Sequence, residues 1–257
     1  MSDRVKTITM DIVEAVRDVM RKHDVTFAEY RAGVGHLIKT QEAKEIPLLL
    51  DVFLNSTVVE IENRQRDGSK AAIQGPYFRE GAPRVNDSLA IRPEDEDQPR
   101  MVMRGRVTDL GGSPVADAVI DVWHSTPEGR YSGVHGNIPI EYYRGKITTD
   151  ENGRYECRSI LPVPYQIPNQ GPTGELLEKH MGGHSWRPAH IHYWVHAEGM
   201  RDLISQAYFE GDKYIEDDSC NGGGTEFMVP EAYEDGVRVM EVDFRLDPAA
   251  VRAEAAE

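Results

Sequence analysis

The segment RPAHIHYWV, residues 187–195, sets His190 and His192 two positions apart in a run of strand-forming residues. Side chains alternate along an extended strand, so both imidazoles project from one face and can reach a single metal ion. Alternation alone serves equally well for two polar residues on a solvated sheet face. Two tyrosines in the same half of the chain sit in unusual settings. Tyr131 follows a Pro-Glu-Gly turn in VWHSTPEGRYSG, and Tyr165 lies between prolines that fix the backbone in LPVPYQIPNQGPTG. Taken singly, each reads as a packing residue with a hydrogen-bonded hydroxyl. Other histidines are weaker candidates. His180 and His184 are four residues apart and with His196 could suggest zinc, but nothing around them resembles a zinc signature. His124, beside Trp123, reads as a packed, hydrogen-bonded imidazole.

The elements that must hold these residues fall into two textures. Residues 4–66 are helical in pattern: Val5, Ile8, Ile12, Val16 and Val19 recur at steps of three and four and form one apolar stripe. The run from Thr26 to Glu29 reads as a capping box that opens a second helix. A third helix is expected over IPLLLDVFLNSTVVEIENRQ, where Pro47 suits a first turn. The Pro-, Gly- and Asp-rich stretch up to residue 100 cannot sustain a helix and reads as a long ordered linker. Beyond it come short alternating runs, MVMRGRVTD, AVIDVWHS, HIHYWVHA and VRVMEVDFRLD, parted by turn signals such as GGSP and DENG. The expected fold is therefore mixed α and β, with a helical region and linker over 1–95 and an antiparallel β-sandwich over 96–257. One helix is expected near TGELLEKHM, and AAVRAEAAE at the end reads as a frayed charged tail.

Of 257 residues, 29 are Lys or Arg and 44 Asp or Glu, a net charge of −15 that argues against general binding to nucleic acid or anionic lipid. An anionic substrate would need a local positive feature, a metal or a specific arginine. Two cysteines, Cys157 and Cys220, are too few for a disulfide framework, and no signal peptide or membrane span is apparent. These features lead to the expectation of a soluble cytoplasmic protein.

Together, DVWHSTPEGRYSG, LPVPYQIPNQGPTG, WRPAHIHYWV and LISQAYFEGDKY resemble the intradiol ring-cleaving dioxygenases, and the likeness runs from the N-terminal helices through IQGPYFREGAP to the final strand. That resemblance implies a non-haem Fe(III) held by Tyr131, Tyr165, His190 and His192, and none of the four positions departs from the family pattern. Phenolate is a hard, strongly donating anion that favours the ferric state, and imidazole is a general iron ligand. By the same resemblance a catechol and O2 are the substrates, and ring cleavage between the two hydroxyls yields a cis,cis-muconate. Tyr165 is the ligand expected to leave when substrate binds, Tyr131 the one expected to stay. Arg187 is implied as the electrostatic partner of charge that builds on ring and oxygens, with Gln206 beside it.

Family pocket positions fall here on Leu48, Asp51, Val52, Ile73, Pro76 and Tyr77. Cys220, in DDSCNGG, stands where the chlorocatechol-cleaving branch tends to carry cysteine, and DVWHST and HSWRPAHIH also resemble that branch. A cysteine can line a chlorine-sized pocket without leaving a donor unsatisfied. Catechol and hydroxyquinol remain alternative diols. So does a different class, a transthyretin-like binding module without catalysis, since RGRVTDLGGSPVADAVIDVW and TTDENGRYECRSI have the strands and turns of one. The family further implies a homodimer built on the N-terminal helices, sometimes around a bound phospholipid.

Overall fold

The computed structural model describes residues 3–222 and 228–249, so the expected tail from residue 250 onward lies outside them. Helix α1 spans Asp3–Lys22 and α2 Phe27–Glu42, the latter opened by the expected capping box: Thr26 Oγ1 accepts from the Glu29 N–H, and the Glu29 carboxylate accepts from the Thr26 N–H. The third helix is not continuous. Ile46–Leu50, α3, has Pro47 in its first turn as expected; it passes into a π-turn at Asp51–Asn55 and resumes as α4, Ser56–Asn63. The wider turn carries Asp51 and the fully buried Val52. Among the described residues, no helix is long and apolar enough to cross a membrane.

Strands β1 (Arg100–Asp109) and β4 (Arg154–Ile160), with β10 (Tyr233–Glu234), β11 (Val237–Glu241) and β12 (Phe244–Leu246), form one sheet. The other has the order β3 (Arg144–Thr148), β2 (Val119–His124), β7 (His190–His196), β8 (Leu203–Phe209), β9 (Met228–Val229). A ribbon of β5 (Tyr165–Gln166) and β6 (Trp186–Arg187) stands apart. The expected sandwich is present and antiparallel in most pairings, but β1 pairs in parallel with β11 and β12, and β8 with β9. Such pairings need connections far longer than a hairpin. More than a hundred residues separate β1 from β11 in the chain, and no hairpin links β8 to β9.

Between the sheets lies an apolar core to which β7 contributes Ile191, Tyr193 and Val195. His190 and His192 therefore point the other way, yet that face is no wetter, because both are 1 % exposed. They lie under a second apolar cluster, roofed by Val52 from the π-turn and by Ile73 and Tyr77 from the linker. The linker is built onto the strands: the N–H groups of Ala72, Val85 and Leu89 donate to the carbonyls of Ile204, Lys146 and Arg158. The Thr173–Met181 helix is present as a short α5, Pro172–Glu175, followed by a second π-turn, Leu176–His180.

Gly105 has a definite reason to be glycine. The chain breaks its pairing with β1 at Val242–Asp243, between β11 and β12, and there the Val242 carbonyl lies over Gly105, where a Cβ would come within 1.9 Å of its oxygen. Gly105→Ala must push the two strands apart and should cost about 1–3 kcal/mol. A denaturation midpoint equal to the wild type's would show that the crossing yields freely.

Candidate metal centre and active site

Strand pairing and ring stacking bring the expected iron ligands together. On β7 the Nε2 atoms of His190 and His192 lie 3.1 Å apart, and the Tyr131 hydroxyl is 3.5 and 3.4 Å from them respectively. Tyr131 comes from the loop after β2, where its backbone N–H donates to His135 Nδ1 and its ring stacks on Tyr77 at 4.4 Å between centroids. Tyr165, on β5, meets the Tyr131 ring edge-on at 5.4 Å between centroids. Trp123 lies opposite His192 in the β2–β7 pairing and stacks on its ring at 4.6 Å, only 5° from parallel. Each donor is thus held by groups other than its donating atom.

The protonation states follow from burial. His190 is pushed down to about 3 by burial and then by Arg187, and His192 well below its usual value by burial and then by His190. Burial raises Tyr131 well above the ordinary phenol range and raises Tyr165 too, though Arg187 opposes the second shift. His190 Nδ1 donates to the Pro188 carbonyl, 2.8 Å away, so its Nε2 is the unprotonated nitrogen and faces both His192 Nε2 and Arg187 Nη1. His192 has no satisfactory tautomer by itself. With its proton on Nε2 the buried Nδ1 is left unpaired; with its proton on Nδ1, that N–H has no partner and two lone pairs face each other across 3.1 Å. A cation shared by the two Nε2 atoms removes the lone-pair conflict. With two phenols as the remaining donors and no carboxylate among them, the set fits a hard ferric ion.

Beside the donors lies Arg187, itself buried. Its Nη1 is 3.2 Å from His190 Nε2, its Nε and Nη2 each donate to Asp218 at 2.9 Å, and Nη2 also reaches Gln206 Oε1 and the Tyr208 hydroxyl at 3.1 Å. Gln206, expected as a polar helper, donates from Nε2 to the Ile73 carbonyl and so ties the arginine to the pocket roof. Sequence reasoning missed Asp218 and Tyr208. It also missed Arg144, a buried guanidinium whose donors reach Ser132 and the Tyr77 carbonyl, bracing the backbone beside Tyr131 and Tyr77. Nothing in DDSC separates Asp218, which turns inward, from Asp217, which pairs with the half-buried His184.

Of the expected pocket residues, Val52, Ile73, Tyr77 and Cys220 share one apolar cluster with Tyr131 and Tyr165, and Leu48 packs at its edge. Asp51 is partly buried and its carboxyl pKa is raised by that burial. Pro76 is not brought in: it is exposed, with its carbonyl accepting from Arg79. A cavity of about 650 Å³ opens beside Tyr77 and Tyr165, with Glu45, Arg130, His135 and Trp186 among its walls. The zinc alternative finds no support. His184 pairs with Asp217 and His196 lies between Asp121 and Asp202, and among the described residues no cluster of three or more His, Cys, Asp or Glu side chains could hold a metal. His124 is packed as expected, bonded to Ser125 and Ser159 and pushed down to about 4 by burial.

Comparison with known proteins identifies the family. Residues 2–70 match the family described as "Catechol dioxygenase N terminus" and 73–248 the one described as "Dioxygenase". A chlorocatechol 1,2-dioxygenase of Pseudomonas putida is 51 % identical over 96 % of this chain and 94 % of its own length. The crystal structure of chlorocatechol 1,2-dioxygenase from Pseudomonas putida superposes with a TM-score of 0.92 at 51 % identity, covering 96 % of this chain and 100 % of that one. A 3-chlorocatechol 1,2-dioxygenase structure from Rhodococcus opacus 1CP follows at 0.90 and 36 % identity, covering 97 % and 100 %.

Metal binding to such a site must be linked to protons. The histidines are already neutral at pH 7, whereas both phenols are protonated and must ionise to coordinate. Ferric binding should therefore strengthen as pH rises and release one proton per coordinated tyrosine. Titrating metal-free protein with a ferric complex in weak buffer measures this, and Tyr131→Phe or Tyr165→Phe should each release one proton fewer. Equal release from wild type and both variants would remove the tyrosines from the ligand set.

Proposed function

The chain belongs to the intradiol dioxygenase family, and we propose that it cleaves chlorocatechols with O2 to chloro-cis,cis-muconates at an Fe(III) held by Tyr131, Tyr165, His190 and His192. The meeting of two imidazole nitrogens and two phenols under an apolar roof carries this reading. Bound there, Fe(III) draws electron density from a coordinated catecholate and makes its ring carbon reactive toward O2.

The protein's part is to take protons, to hold charge and to exclude water. Tyr165 Oη would accept a proton from the entering diol, while Tyr131, its ring stacked on Tyr77 and its backbone N–H bonded to His135 Nδ1, would stay in place. Arg187 offers a buried positive charge next to His190, where negative charge gathers on the substrate oxygens, and Gln206 helps to fix it. Val52, Ile73, Tyr77 and Cys220 enclose the ring in apolar surface, and Leu48 borders it from the helical region. A thiol at 220 accommodates chlorine without a lost hydrogen bond. High identity to chlorocatechol enzymes supports the substrate class.

Outside the site, Val5, Ile8, Ile12, Val16 and Val19 on α1 are 44–60 % exposed, and no residue of that helix is buried. We propose that this stripe packs on a second copy of the chain, with a phospholipid acyl chain admitted at the seam, and that the protein works in the cytoplasm, where Cys157 and Cys220 stay reduced.

Oxygen uptake with product spectra across catechol and its 3-chloro and 4-chloro derivatives tests the substrate. The purified iron protein should be red from tyrosinate-to-iron charge transfer and should favour chlorocatechols. Cys220→Ala should alter that preference by about 1–3 kcal/mol, the usual range for one group in an apolar pocket. Efficient turnover of catechol with only slow chlorocatechol turnover would overturn the substrate class while leaving the iron chemistry intact. Sedimentation should give a dimer at micromolar concentration, and a fully active monomer would contradict the assembly.

A further inference from the structure

We infer that Asp218 is a positioning residue that couples the Cys220 wall of the ring pocket to Arg187, so that a substituent pressing on that wall is felt by the arginine's charge. This rests on the reading of Arg187 as the group that stabilises substrate charge.

Asp218 divides its carboxylate between two tasks. Oδ1 accepts from Arg187 Nε at 2.9 Å and from the Cys220 backbone N–H at 3.1 Å; Oδ2 accepts from Arg187 Nη2 at 2.9 Å and from the Gly222 N–H at 3.2 Å. Neutralising a buried arginine would require only the first partner of each oxygen. The second partners are the backbone of the wall itself. A fork of this kind also decides which edge of the guanidinium faces the metal site: Nε and Nη2 are committed to Asp218, Gln206 and Tyr208, which leaves Nη1 directed at His190.

Close packing makes the link stiff. A Cβ on Gly222 would stand 2.6 Å from both Arg187 Nη2 and Ile73 Cδ1, so wall, arginine and opposite roof meet with no slack. Tyr208 closes the circuit, its hydroxyl 3.1 Å from Arg187 Nη2 and 2.7 Å from the Gly222 carbonyl. Movement of residues 220–222 therefore cannot occur without moving the guanidinium or breaking one of these bonds.

Asp218→Asn keeps the shape but turns one acceptor into a donor, so either the arginine or the wall loses its partner. In the iron-loaded enzyme kcat should fall roughly 10–100-fold, the usual effect of removing a group that orients a ligand or its neighbour, with a much smaller change in KM for catechol. The ratio of kcat/KM for chlorocatechol over catechol should move toward that of Cys220→Ala, and Asp218→Asn with Cys220→Ala should change the ratio by less than the product of the two single effects. Iron content and the resting visible band should persist. Tyr208→Phe, a milder change should Asp218→Asn fold poorly, should shift the same ratio in the same direction by less. Equal losses for both substrates, or a multiplicative double variant, would reduce Asp218 to a structural ion pair and overturn the coupling. A wild type without iron, colour or turnover would instead refute the iron reading on which the coupling stands.

Discussion

Two imidazole nitrogens meet 3.1 Å apart in a buried interior, and His192 keeps an unpaired ring nitrogen there in either tautomer. Everything nearby can be understood as holding that arrangement in place. The β2–β7 pairing sets Trp123 against His192, the Pro188 carbonyl fixes the His190 tautomer, and Tyr77 backs Tyr131. Such a group of neutral donors has a well-defined geometry before any cation arrives, which lowers the reorganisation that binding requires.

Charge gives the second constraint. With a net charge of −15 the protein's overall field disfavours an anionic catecholate. The positive side chain within hydrogen-bond reach of a donor is Arg187, and Asp218 already neutralises it as a buried pair. Pairing is what allows a guanidinium to remain buried and charged there. The pair adds no net charge, so attraction of an anion falls to the metal, and the arginine contributes direction: hydrogen-bond donors aimed at one side of the site.

Much of this was legible in sequence where a residue's role is local. The alternation of RPAHIHYWV put His190 and His192 on one face, Thr26 and Glu29 gave the capping box, and Pro47 marked its helix start. Alternation could not say that the face is dry, because the residues that cover it, Val52, Ile73 and Tyr77, come from a different part of the chain. The π-turn at Asp51–Asn55 escaped notice since its sequence is as helical as its neighbours. Parallel pairing of β1 with β11 and β12 depends on contacts across more than a hundred residues, and periodicity carries no record of partners. Asp218 was hidden for the same reason: Asp217 and Asp218 are alike in sequence and differ only in which way the turn faces.

The distribution of labour among chain segments has a consequence for how such a site can change. The histidines are fixed by strand pairing within the sandwich and Tyr131 by stacking on Tyr77 of the linker, while Val52 of the π-turn adds roof without bracing a donor by ring stacking or hydrogen bond. A substitution at Val52 alters the shape offered to a ring without removing a hydrogen bond to the donors or to Arg187. The wall at residues 220–222 is different, because its backbone N–H groups share a carboxylate with Arg187. A pocket built this way has one side where shape can vary independently of the chemistry and one where shape and charge move together. Selectivity for a substituted ring can draw on both, but only a change at the second carries a direct cost in rate.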